Sequence, residues 1–168
     1  PDMESFKQSF MGRIRAISRA HDLLINLDDR EGTVADLVVS QVGPYASETD
    51  RQLQARGPRI QLGPSVAHGL GLVLHELASN ASKYGALSSE GGRVEIDWSR
   101  TTIDDVPALH LVWREVGGPP VEPPERTGFG TVLIADSLTH SLGGASRIDY
   151  ARDGLVAEID CKLRSGDD

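Results

Sequence analysis

Three side chains on one predicted helix have the types and spacing needed to hold a phosphate. At about 100° per residue, Glu76, Asn80 and Lys83 share one stripe of a helix over 65–84, about a quarter turn from the apolar centre formed by Val66, Leu70, Val73, Leu74, Leu77 and Ala81. A carboxylate, an amide and an ammonium at the rim of a core could line a pocket and meet a metal-chelated phosphate. The same spacing describes a solvated flank in which Glu76 pairs with Asn80 and Lys83, and spacing alone leaves both readings open.

A second carboxylate stands at the end of a predicted strand. Period-two alternation puts Glu115 on the face of Leu109, Leu111 and Trp113, so a charge arrives at the end of a core-facing row and requires a donor. An amino group on a flat ligand could supply it, as could solvent at an exposed strand end. Gly117 and Gly118 follow at once and permit a tight turn or close backbone approach. Four of the nine prolines fall in the segment 117–130, a stiff strap without periodicity. Gly128-Phe129-Gly130 then precedes a predicted helix over 129–142, where glycines would let backbone N–H groups approach a phosphate or would simply make a turn. No Gly-x-x-x-x-Gly-Lys-Ser/Thr motif is present, so the cradle is not a P-loop.

The elements that position these residues follow from pattern. Residues 3–27 read as a helix with a narrow seam at Phe10, Ile14, Ile17, His21 and Leu24, suited to pairing with a further helix or a second chain. Val34, Leu37, Val38 and Gln41 mark a second helix stopped by Pro44, and Gly57-Pro58 predicts a short hairpin. Gly63-Pro64-Ser65 opens the helix that runs to about Tyr84. Strands follow around Val94, Ile96 and Trp98 and around Leu109, Leu111 and Trp113; two more, 145–151 and the strand of Leu155, Ala157, Ile159 and Cys161, flank an Asp153-Gly154 turn. This order predicts an α/β two-layer sandwich, with a mixed, mostly antiparallel sheet covered on one face by helices and preceded by one long helix.

Composition bounds the function. The 168 residues suit one domain with a small appendage, and 39% apolar with 25% charged residues is ordinary globular usage. A net charge of −8 argues against broad binding to nucleic acid or an anionic membrane, so any phosphate must be gripped locally. The one cysteine, Cys161, allows no internal disulfide, and no zinc-type ligand spacing occurs, which makes a reducing compartment, the cytoplasm, the expectation. No stretch has signal-peptide character or approaches the roughly 18 apolar residues of a membrane span.

Glu76-x-x-x-Asn80, Glu115-x-Gly117-Gly118 and Gly128-Phe129-Gly130 resemble, in order and approximate spacing, the N box and glycine boxes of the GHKL (Bergerat) ATP-binding superfamily. More closely, HELASNASKYGALS at 75–88, WREVGGPPV at 113–121 and RTGFGTVLI at 126–134 resemble the HWE family of bacterial sensor histidine kinases. The signature of that family, a His in the N box and Trp-x-Glu in the first glycine box, is matched by His75, Trp113 and Glu115; the resemblance extends to RAHDLL at 19–24 and to the closing strands, nearly the whole chain.

The resemblance implies that Asn80 coordinates Mg2+ bridging the phosphates of ATP, that Glu76 orients metal or water or acts as base, and that Lys83 meets phosphate. Glu115, standing where many GHKL proteins carry Asp, would accept from the adenine amino group, and Gly117, Gly118, Gly128, Phe129 and Gly130 would shape the two ends of a short lid. No catalytic role falls to His75, and Trp113 reads as packing beside the base. The phosphoacceptor His-Arg-x-Lys-Asn-like motif of the family does not occur in this chain, and His21, on the apolar seam, is not a substitute. The chain thus reads as a fragment: residues 1–27 the second helix of a dimerisation and phosphotransfer hairpin, 28–168 the catalytic domain. The implied partners are the phosphoacceptor segment, a response-regulator receiver domain and a second copy of the chain. A non-catalytic docking scaffold and a GHKL ATPase are the alternative readings.

Overall fold

The computed structural model describes residues 3–25, 32–47, 51–121 and 143–163. Three helices, α1 (Met3–Ile25), α2 (Val34–Val42) and α3 (Pro64–Tyr84), accompany five strands, β1 (Leu53–Arg56), β2 (Arg93–Ile103), β3 (Val106–Val116), β4 (Ala145–Ala151) and β5 (Gly154–Lys162). The strand order is β1-β2-β3-β5-β4. β1 runs parallel to β2, and every other neighbouring pair is antiparallel, which is the predicted mixed sheet.

Local chemistry sets the helix ends. Thr33 caps α2 in a capping box: its side chain accepts from the Asp36 N–H at 3.2 Å, and the Asp36 carboxylate accepts from the Thr33 N–H at 3.0 Å. Beyond Val42 the chain tightens into a 3-10 turn, Gly43–Tyr45, around Pro44. α3 begins with Pro64 in its first turn behind Gly63 and closes where the Gly85 N–H donates to the Ala81 carbonyl at 3.0 Å. The β2–β3 hairpin turns at Asp104 and Asp105, both at positive φ as a two-residue hairpin loop requires.

One core lies between helices and sheet. Leu70, Leu74 and Leu77 of α3 join Ile96, Leu111, Trp113 and Ile159 of the strands in it, with Val34, Leu37 and Val38 of α2 alongside. The opposite sheet face carries polar pairs, among them Arg114–Asp97 at 3.1 Å and His110–Asp160 at 2.7 Å. The two expected β4 and β5 strands fall on their predicted residues.

The hairpin predicted at Gly57-Pro58 does not form. β1 is a single strand, and the chain beyond it leaves the sheet for the start of α2, where the Val34 N–H donates to the Ile60 carbonyl at 3.0 Å and the Leu62 N–H to the Gly32 carbonyl at 2.9 Å. Ile60 and Leu62 are buried, and Gln61 makes only an isolated bridge to Thr33. The apolar pair is better covered beside α2 than on an edge strand. The crossing is fixed at Trp98, whose Nε1–H donates to the Pro58 carbonyl at 2.8 Å.

α1 meets the core with a face other than its seam. Phe10, Ile14 and Ile17 are 51%, 42% and 44% exposed, whereas Ala16 and Ala20 are buried. Small residues at 12, 16 and 20 bring α1 close to α3: a Cβ on Gly12 would lie 3.2 Å from His75 Nε2, and one on Gly71 would lie 3.3 Å from the Ala20 Cβ. The expected helix over 129–142 and the Gly128-Phe129-Gly130 turn lie outside the described residues. Among the described residues no helix is long and apolar enough to cross a membrane.

Candidate functional site

The stripe on α3 exists, and it runs from covered to open. Glu76 is buried, Asn80 half-buried one turn further on, and Lys83 exposed in the last turn. Glu76 is held by a residue that sequence reasoning missed. Arg13 of α1 donates from Nε to Oε1 at 2.7 Å and from Nη2 to Oε2 at 3.3 Å. Arg13 carried no signal in the sequence because it lies 63 positions away, beside a seam whose periodicity points elsewhere.

The second carboxylate converges on the end of the same helix. Glu115 is buried on the helix-facing side of β3; its Oε2 accepts the Ala86 backbone N–H at 2.9 Å and its Oε1 accepts the Trp113 indole N–H at 3.3 Å. Burial pushes the Glu115 carboxyl above its ordinary range, and the two donations oppose that shift without cancelling it. Trp113, expected as packing, is fully buried and is also a donor to this carboxylate.

Glycines permit the approach. A Cβ on Gly118 would come within 2.6 Å of the Ala86 Cα, and one on Gly92 within 1.9 Å of the Ala86 carbonyl oxygen. Gly117 adopts φ +75°, a conformation that favours glycine. Ala86 is therefore enclosed by Glu115, Gly118 and Gly92, and through it the end of β3 is fastened to the turn that leaves α3 just beyond Asn80 and Lys83. Sequence reasoning missed Ala86 because the atom it contributes is a backbone N–H.

His75 lies on a different side. The helical wheel set it opposite the apolar centre, and that side is covered too: the ring is buried between α1 and Tyr45, whose hydroxyl lies 3.2 Å from Nδ1. Burial lowers its pKa; the Glu76 charge opposes this, and Arg19, Arg13 and Lys83 add to it. His75 thus packs where three helical segments meet, next to Glu76 in sequence but turned from Asn80. Gly128, Phe129 and Gly130 lie outside the described residues. Among the described residues no cluster of three His, Cys, Asp or Glu side chains could hold a metal ion unaided.

Comparison with solved structures identifies the architecture. The histidine kinase domain of a blue-light-activated histidine kinase from Erythrobacter litoralis superposes with a TM-score of 0.64 over 92% of this chain and 75% of that one, at 15% identity. The catalytic domain of histidine kinase ThkA matches with a TM-score of 0.55 over 78% of this chain and 94% of that one, at 15% identity. The fold is that of histidine kinase catalytic domains.

Sequence comparison is more specific. The family model for HWE histidine kinases matches residues 1–59. A blue-light-activated histidine kinase of Brucella anthropi is 37% identical over 158 residues, covering 94% of this chain and 32% of that protein; blue-light-activated histidine kinase 1 of Erythrobacter litoralis is 42% identical over 163 residues, covering 94% and 44%. The chain is thus similar to HWE histidine kinases, and it spans less than half the length of these relatives.

Proposed function

We propose that this chain is the ATP-binding catalytic region of a two-component sensor histidine kinase, binding Mg·ATP and delivering the γ-phosphoryl group to a histidine on another segment. The observation that carries the reading is the convergence at Ala86: the Asn80 and Lys83 end of α3 meets the Glu115, Gly117 and Gly118 end of β3 there. The family-model match over residues 1–59 and the names of the relatives support it.

Each residue has a task in this reading. Glu115, its oxygens fixed by Ala86 and Trp113, presents a remaining lone pair to the adenine amino group. Lys83, exposed in the last turn of α3, reaches phosphate. Asn80 offers its amide oxygen to Mg2+, and Glu76 orients metal or water or takes a proton. The donor set suits Mg2+, which keeps several waters and takes one or two protein oxygens alongside substrate phosphates, whereas a dedicated cage would need the acidic cluster that the described residues lack. Bound Mg2+ would neutralise phosphate charge; the protein's own contribution is positioning, which is most of what phosphoryl transfer asks. Gly117 and Gly118 form one lid end, and Gly128, Phe129 and Gly130 are assigned the other.

Residues 1–27 are read as the second helix of the dimerisation and phosphotransfer hairpin and 28–168 as the catalytic domain. A second copy of the chain and a receiver domain are the proposed partners, and the cytoplasm the proposed compartment. Asn80→Ala tests the site. The variant should keep its fold and lose Mg-dependent nucleotide affinity by at least about tenfold; unchanged affinity in the folded variant would remove Asn80 from its role.

A further inference from the structure

The stripe on α3 is closed at one end by α1. Asn80 and Lys83 reach the surface, but Glu76 is only 6% exposed because the Arg13 fork lies over it. The two side chains are 16% and 8% exposed, so water screens the pair little. The position of Arg13 is not free to vary. Its neighbour Gly12 lies against the His75 ring, Ala20 faces Gly71, and Gln41 Nε2–H donates to the Ala16 carbonyl at 3.0 Å, which fixes α1 on α3 and α2 along two turns.

A bidentate guanidinium turns both oxygens of a carboxylate toward itself. A cation or water drawing Glu76 toward Asn80 therefore competes with Arg13 for the carboxylate, and release of Arg13 removes the ion pair that ties α1 to α3. Breaking one partner from a buried ion pair is strongly unfavourable unless another cation replaces it, and Mg2+ is such a cation.

We propose that Arg13 of α1 belongs to the nucleotide site as a positioning residue for Glu76, and that docked α1 and Mg·ATP compete for that carboxylate. This rests on the ATP-binding reading above. Nucleotide loading then loosens α1, and by reciprocity any event that lifts α1 raises the affinity for Mg·ATP. No phosphoryl transfer is needed for either effect.

Hydrogen exchange on the unmodified chain, with and without saturating Mg·ATP, tests this directly. The amides of residues 12–20 should exchange about fivefold faster with nucleotide bound. The companion variant Arg13→Met should bind Mg·ATP about fivefold more tightly, with affinity for ATP in EDTA unchanged. Saturable Mg·ATP binding with exchange of α1 unchanged or slowed would overturn the proposal while leaving the ATP-binding reading intact. Absence of nucleotide binding by the folded wild-type chain would overturn both. Should Arg13→Met fail to fold, the exchange result on the wild-type chain decides.

Discussion

Glu115 reaches from the end of β3 to the backbone N–H of Ala86, 2.9 Å away, and this bond fastens the sheet to the turn that ends α3. The contact gives a physical reason for the longer of the two carboxylate side chains at this position. A side chain one methylene shorter would not span to Ala86 from the same backbone position. Glu115→Asp should therefore leave the buried Ala86 N–H without its acceptor and cost about 1–3 kcal/mol of stability, read as a lower urea midpoint. An unchanged midpoint would mean that this bond does not join the two elements.

The glycines around Ala86 make a sharper comparison. At Gly118 an added methyl would meet backbone atoms of Ala86 at 2.6 and 2.7 Å, which cannot yield as a flexible side chain would. Gly43 has helical φ and nothing within 4 Å of an added Cβ. Gly118→Ala should destabilise by about 2 kcal/mol or more and weaken nucleotide binding, while Gly43→Ala should be neutral or stabilise by up to about 1 kcal/mol. Thermal unfolding of both variants checks the contrast, which equal effects would refute.

His75 predicts a dependence on pH. Its pKa is lowered in the folded chain, so below the ordinary histidine value of about 6.5 the unfolded chain takes up a proton that the native chain refuses. Stability from this group is complete above that value and is lost as pH falls from it toward the lowered native value. The denaturation midpoint of the wild-type chain should fall between pH 7.5 and 5.5, and His75→Phe should flatten that fall. An equal slope in the variant would show that the pH dependence lies elsewhere.

How far the sequence foretold the structure depended on whether a contact was local. α2, α3 and four of the strands were legible because hydrophobic period, the Pro64 start and the Pro44 stop act within a few residues. Glu115 on the core-facing row was legible from alternation alone. The hairpin at Gly57-Pro58 was misread because Ile60 and Leu62 pair with the start of α2, a choice made by tertiary burial and not by the turn residues. Arg13 on Glu76 could not be read at all: the seam of α1 is its most regular feature, and the helix uses the small-residue face beside it to dock. His75 was placed correctly on the wheel, but no local pattern tells that a third helical layer covers that side.

The measurement that bears most directly on the central claim is a titration of the chain with a fluorescent ATP analogue, with and without Mg2+, competed by unlabelled ATP and by GTP. Saturable, Mg-sensitive binding displaced by ATP and resistant to GTP is the predicted result, since the role proposed for Glu115 is to accept from an exocyclic amino group that guanine does not carry at that position. No saturation up to millimolar ATP by a folded chain would contradict the account.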